Sequence, residues 1–284
     1  MIVGVVTPVR NACDRIADTI HSVLDQTAVA ARRVQVRYVI QDGDSTDGTG
    51  DVARLAADGR ATVVSTPDLG MYDALARGFT EIEQQGGADW YCYLNAGDLW
   101  DPRCLELLSH FDQYVDSPWV CGLHAYYGAN GSLVHTRLPF RYRRELLKSG
   151  AYGRGLPTVQ QESTFWRSDI HASIDLNRFR SFAVAGDSYL WWTFAHRAEP
   201  SIIEALLGGF RYHGGHLGVS KMEYRNEITR IAGALSPLVR ARIPAERALW
   251  EQPARVKGSL NPNLFRYDIS HGGWRSSNTV LPAL

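Results

Sequence analysis

The sequence lacks most of the features that mark a special class of protein. Its four cysteines, Cys13, Cys92, Cys104 and Cys121, show no CxxC spacing. A disulfide scaffold and a zinc framework are both excluded on that ground, and reduced, largely buried thiols are expected. Neither sign of charge is in excess, because 30 Lys and Arg balance 30 Asp and Glu. A neutral chain has no global electrostatic reason to bind nucleic acid or an anionic membrane. No apolar run approaches the roughly 18 residues that a membrane helix needs. The opening MIVGVVTPVRN has no basic region, and Arg10 and Asn11 end its apolar run too soon for a signal peptide. A cytoplasmic protein is expected. Internal repeats and low-complexity segments are also missing.

What is present is an ordinary packed composition, 45% hydrophobic and 21% charged over 284 residues. A chain of this length buries roughly 75% of its unfolded surface and needs no covalent staple. The first hundred residues alternate short strand-like runs with helical patterns. Ile2 to Thr7, Val36 to Gln41, Ala61 to Ser65 and Trp90 to Leu94 read as buried strands. Between them, Ile16, Ile20, Val23 and Leu24 mark one helical face, Val52, Leu55 and Ala56 a short helix, and Ala74 to Gln85 another. Asp101-Pro102 places a capping residue and a first-turn proline before a further helix. Such alternation predicts an α/β fold, a mostly parallel Rossmann-like sheet with helices on both faces.

The second half is more mixed. Val120 to Tyr126 and Leu133 to Arg137 flank GANGS as a hairpin, Ser188 to Phe194 reads as helix and Gly209 to Tyr212 as extended. Met222 to Arg242 reads as one helix with polar faces, and Ser276 to Leu284 as a loose tail. The expected division is a main domain over 1–220, in halves 1–100 and 101–220, with a helical C-terminal extension over 221–284.

Ligands in a parallel α/β sheet bind at the carboxyl ends of the strands. Four loops rich in carboxylates, glycines and amides fall at such ends: TPVRN, QDGDSTDGT, TPDLGMYD and LNAGD. Each alone is also what a turn or helix cap requires; four in succession along one edge point to a site. QDGDSTDGT contains neither G-x-G-x-x-G nor G-x-x-x-x-G-K-[ST], so the dinucleotide and P-loop modes lack their backbone features. Its carboxylates suit a base or ribose as hydrogen-bond acceptors better than a bare phosphate.

The ordered series TPVRN, IQDGDSTDGT, STPDLGMYDALARG and YLNAGD resembles the N-terminal half of glycosyltransferase family 2. The likeness continues at VQQESTFWR, AVAGDSYLWW and GGFRYHG, over roughly residues 1 to 230. It implies a GT-A fold and inverting transfer of a sugar from a nucleotide-sugar donor. By that resemblance Thr7, Pro8, Arg10, Asp42, Asp68 and Asn95 bind the nucleotide. Tyr72, Asp73, Gln161 and Glu162 stand near the donor or acceptor sugar, Asp98 holds a divalent cation (Mn²⁺ or Mg²⁺), and Asp187 is the general base. The implied acceptor is a glycan or lipid-linked glycan, as in polysaccharide biosynthesis, with peripheral association at the inner face of a membrane. Two positions depart from the family's pattern: Asn95 and Gly97 stand where paired carboxylates are common, and Ala76 where Asn is.

The chemistry explains the residue types. A departing diphosphate gains negative charge that a cation offsets, and the attacking hydroxyl must lose a proton to a base. Asp187 before SYLWW also fits a helix N-cap, and Glu162 before FW a paired core carboxylate. His213 and His216 have the look of a metal pair without supporting ligands. Trp166, Trp191 and Trp192 read as core. HGGHLGVSKMEYR is a candidate lid over a diphosphate, through His216, Lys221 and Arg225. The competing classes are a non-catalytic nucleotide-sugar-binding protein and a nucleotide-dependent dehydrogenase.

Overall fold

The computed structural model describes residues 1–212 and 220–282. The chain opens with β1 (Ile2–Val9), β2 (Gln35–Asp42), β3 (Thr62–Ser65) and β4 (Trp90–Tyr93). They are all parallel, with β2 and β4 on either side of β1 and β3 outside β2. Helices Ile16–Leu24, Thr49–Ala57, Met71–Gln84 and Cys104–Tyr114 follow these strands. Strand β1 is covered on both faces, so Val3, Val5, Val6 and Val9 are all buried and its run is continuous rather than alternating. The first helix buries Ile16, Ile20, Val23 and Leu24, the face its spacing predicts.

Next come β5 (Leu99–Trp100), β6 (Trp119–Cys121), β7 (His124–Tyr127), β8 (Leu133–Arg137), β9 (Thr164–Arg167), β10 (Ser201–Ile203) and β11 (Gly208–Arg211). The chain ends on β12 (Leu264–Asp268) and β13 (Gly273–Arg275). Among the described residues the large sheet has the order β13-β12-β10-β6-β9-β4-β1-β2-β3, and a small one the order β5-β11-β7-β8. Strand β9 runs antiparallel between β4 and β6, so the sheet is mixed at its centre.

Three local expectations change. The run Val120 to Tyr126 is two strands, because Gly122 and Leu123 turn away to bond Ser163 and Ala205 carbonyls. The GANGS hairpin itself forms, between β7 and β8. The single helix over Met222 to Arg242 is two, Lys221–Ala232 and Pro237–Trp250. Gly233, at φ +76°, ends the first, and Ser236 caps the second ahead of Pro237. The tail is tied down rather than loose. Beyond the helix Ala254–Leu260, β12 joins β10 in the large sheet, Leu281 is buried, and the Pro282 carbonyl meets His110 Nε2 at 3.0 Å. The expected C-terminal helices are present, and this strand pair accompanies them.

Candidate active site

Strands β1 to β4 end at one edge: Val9 pairs with Asp42, Asp42 with Ser65, and Val6 with Tyr93. Since β2 and β4 flank β1, the strand order reverses there, and a crevice opens at its carboxyl end. Side chains knit the first two loops together. Asn11 Oδ1 accepts the Thr46 N–H (3.0 Å), Ser45 Oγ that of Asn11 (2.8 Å), and Thr49 Oγ1 that of Ala12 (2.8 Å). Asp42 is buried, and its Oδ1 accepts from the N–H and hydroxyl of Ser45, forming a turn before any ligand arrives. A Cβ on Gly43 would stand 2.6 Å from Asp68 Oδ2, so a side chain there would have to push the Asp68 carboxylate aside. Asp68 Oδ1 accepts the Gly70 N–H at 2.9 Å.

Of the three nucleotide candidates on the first loop, only Arg10 presents its side chain to solvent. Pro8 is buried, and Thr7 is enclosed with its hydroxyl on Tyr38 OH at 2.8 Å. The Thr7 side chain therefore supports the strand end instead of lining a base pocket. Asp73 is likewise spent. It is buried, which pushes its pKa up, but the Leu69 N–H that it accepts and its pairs with Arg180 (2.6 Å) and Arg77 (2.7 Å) outweigh this and lower it from the usual carboxylate value. Tyr72 lies under the start of the helix Gly186–Phe194, with its hydroxyl on the Val184 carbonyl. Both residues brace the site; neither reaches a sugar with a free polar group.

The NAGD loop is pinned by Thr19, whose hydroxyl donates to the Asp98 carbonyl and accepts the Gly97 N–H. Asp98 is buried, and its Oδ1 accepts the Arg211 N–H at 3.0 Å, a contact set by the pairing of β11 on β5. Burial and the charge of Glu162 push Asp98 well above the usual carboxylate range. Glu162 is raised too, by burial and by Asp187. Asn95 Oδ1 and both polar atoms of Gln161 are buried without a partner. Unpaired buried polar atoms are costly, and here they cluster beside two carboxylates, as in a site built to receive a polar ligand.

Among the described residues no group of three or more His, Cys, Asp or Glu is placed to hold a metal ion. The donor set still suits a hard cation: the Asp98 carboxylate and the unpartnered Asn95 oxygen, completed by substrate phosphates and water. His213 and His216, with the 213–219 part of the candidate lid over 213–225, lie outside the described residues. Lys221 and Arg225 sit in the first turns of a regular helix.

Asp187 occupies the first turn of Gly186–Phe194 without capping it: the cap residue is Ala185, and no side chain bonds there. Its Oδ1 accepts the Ser188 N–H (2.7 Å) and its Oδ2 the Tyr224 hydroxyl (3.0 Å). Burial lifts its pKa to about 6 against the lowering effect of those two donors. An acid tuned near neutrality and oriented by two donors suits proton abstraction.

The sequence model of Glycosyl transferase family 2 matches residues 4–169. The chain belongs to this family. It is a glycosyltransferase with the GT-A fold. Solved structures with the same fold include S. aureus TarS 1-349 in complex with UDP-GlcNAc, at 12% identity and TM-score 0.58, covering 100% of both chains. Glucosyl-3-phosphoglycerate synthase from Mycobacterium tuberculosis, solved with Mg²⁺ and UDP, is 19% identical with TM-score 0.52, over 83% of this chain and 80% of that one. Mannosyl-3-phosphoglycerate synthase from Rubrobacter xylanophilus is 17% identical with TM-score 0.51, over 99% and 87%. No curated protein matches the chain.

Arg211, Tyr224 and Glu227 also belong to the site of this transferase, and no sequence pattern marks their roles. Arg211 stands inside GGFRYHG and was open to notice, but its contact with Asp98 is through the backbone, which no residue pattern reports. Tyr224 and Glu227 fall on a helix whose mixed polar surface carries no periodic signal.

Proposed function

We propose that the enzyme is an inverting transferase, moving a sugar from a nucleotide-sugar donor to a hydroxyl of a glycan or lipid-linked glycan. The observation that carries this reading is the oriented Asp187 carboxylate, close enough to Glu162 for its charge to raise that residue. Two structures of similar fold were solved with UDP-GlcNAc and with UDP, which makes UDP-sugars the first donors to test. The acceptor class follows from the family resemblance.

The chain's own residues then divide the work. The knitted β1 and β2 loops, with Asp42, Asp68 and Arg10, form the nucleotide end of the crevice. Gln161 and Asn95 supply unpaired polar atoms toward the sugar and diphosphate. Asp187 takes the proton of the attacking hydroxyl as its oxygen bonds the anomeric carbon, and the bond to the diphosphate oxygen breaks on the opposite face. Asp98 and Asn95 would hold a divalent cation, which when bound supplies Lewis-acid stabilisation to the leaving diphosphate.

Asp187→Asn tests the reading, since the amide keeps the shape and loses the proton acceptor. We expect kcat to fall at least about 10²-fold, with UDP affinity in the presence of Mn²⁺ unchanged by calorimetry. The product of the wild-type enzyme should carry the anomeric configuration opposite to that of the donor. Near-normal transfer by the variant would move the base to another carboxylate, and a retained configuration would dismiss single displacement.

A further inference from the structure

We propose that Tyr224 and Glu227 are positioning residues for Asp187, so that the helix Lys221–Ala232, outside the stretch the family model matches, completes the transferase site. The proposal rests on the reading of Asp187 as the base, and it concerns what aims that base.

Glu227 is buried, and its carboxylate accepts three successive backbone N–H groups, those of Ala183 (2.9 Å), Val184 (2.9 Å) and Ala185 (2.8 Å). Arg230 supplies a fourth donor at 2.7 Å. Those three N–H groups form the turn into the Gly186–Phe194 helix, which has no capping side chain of its own. A helix start with unpaired N–H groups is normally capped by a neighbour in sequence. The N–H groups that Glu227 accepts lie ahead of that first turn, the last being that of the cap residue Ala185, so a carboxylate from a distant helix fixes the turn two residues before Asp187. Arg230 lies three residues on along the same helix, so the three backbone bonds to this one turn are what tie the Glu227 carboxylate to the start of the other helix.

Tyr224, one turn earlier on the same helix, completes the arrangement. Its hydroxyl donates to Asp187 Oδ2 and lies 2.9 Å from Ser188 Oγ. The tyrosine has one proton, and Asp187 takes it, so the Ser188 hydroxyl is the donor in the second bond. From below, Gly186 rests on the ring of Tyr72, where a Cβ would stand 2.5 Å from Cδ1. The Asp187 carboxylate is thus held from three directions. The titratable groups acting on it are Tyr224 and Glu227 of this helix, Tyr72 of the Met71–Gln84 helix, Glu162, and Tyr93 of β4. Of these, Tyr224 donates a hydrogen bond to it in this structure, favouring its ionised form.

The test compares the full-length wild-type chain with Tyr224→Phe, Glu227→Gln and Asp187→Asn. Tyr224→Phe keeps the ring packing and removes one hydroxyl. We expect its kcat to fall at least about tenfold, with UDP–Mn²⁺ affinity and KM for donor unchanged. We also expect the acidic limb of its kcat/KM profile to move to higher pH, because Asp187 loses a donor to its charged form. Glu227→Gln should lower kcat with nucleotide binding intact; if it fails to fold, the Tyr224→Phe profile decides. Wild-type kcat and an unmoved limb in Tyr224→Phe, beside an inactive Asp187→Asn, would overturn the positioning proposal alone. Parallel loss of thermal stability, UDP affinity and kcat in Tyr224→Phe would reduce the residue to a structural one and overturn it too. Near-normal turnover by Asp187→Asn would instead overturn the base reading beneath it.

Discussion

Asp98 and Asp187 are both acids at loop ends, yet their surroundings prepare them differently. Asp98 receives a backbone N–H from Arg211 and sits buried against Glu162, in a neighbourhood that resists a second negative charge. Asp187 has two donors and a pKa of about 6, so it is ionised at neutral pH and remains a usable base. The sign follows from its form: the folded enzyme holds that proton below about 6 and releases it above. We therefore expect kcat/KM to climb about tenfold per pH unit up to about 6 and then level, read from steady-state rates across buffers. At this scale the sequence was informative where a residue type meets a strand end. Asp98, Glu162 and Asp187 lie close enough together that Glu162 is raised by Asp187 and in turn raises Asp98. Thr7 and Asp73 did not keep polar groups free for a ligand, because Tyr38 in one case and two arginines in the other had already engaged them. Arg77 is only four residues from Asp73, but Tyr38 and Arg180 lie tens of residues from the groups they engage, and no local pattern shows them.

The helix Gly186–Phe194 illustrates how an element can depend on its supports more than on its own residues. It carries no cap, its turn is held by Glu227, and its first residue leans on Tyr72. Gly186→Ala would ordinarily favour a helix by about 0.5–1 kcal/mol. Here the added methyl has no room, and overpacking costs about 1–3 kcal/mol. We expect a lower midpoint in urea unfolding and a kcat reduced by tenfold or more; a variant as stable and active as wild type would show that the ring yields freely. Legibility differs between elements for the same reason. Strands β1 to β4 and the helices after them could be read because each has its period and its turn residues in one short stretch. The hinge at Gly233 and Pro237 carried local signals too, glycine and proline, but a polar periodicity running across it masked them. Strand β12 has no such mark, since its burial is conferred by β10.

Over the whole molecule, two buried histidines make stability depend on pH. His124 is pushed down to about 4 and His171 to about 3, chiefly by burial. His171 Nδ1 accepts the Trp166 indole N–H, so a proton there would also break a hydrogen bond. The unfolded chain protonates each near 6.5 and the folded one only far lower, so this stability is complete above 6.5 and is lost as pH falls toward 4. His171→Gln, which keeps an acceptor, should flatten the decline by up to about 1.4 kcal/mol per pH unit, measured by urea unfolding at several pH values. An unchanged slope would show that His171 titrates normally. The mixed order of the large sheet has a further consequence, in time. Strands β1, β2 and β3 pair with partners nearby in the chain, Val3 with Val36 and Val39 with Thr62, whereas β4 must reach back to β1, β9 must slot between β4 and β6, and β6 must await β10. Distant pairings of this kind close slowly. In refolding from denaturant, far-ultraviolet ellipticity should recover before the fluorescence of Trp119 and Trp166, which face each other where β6 meets β9. The middle of the finished sheet would then be the last part of it to assemble.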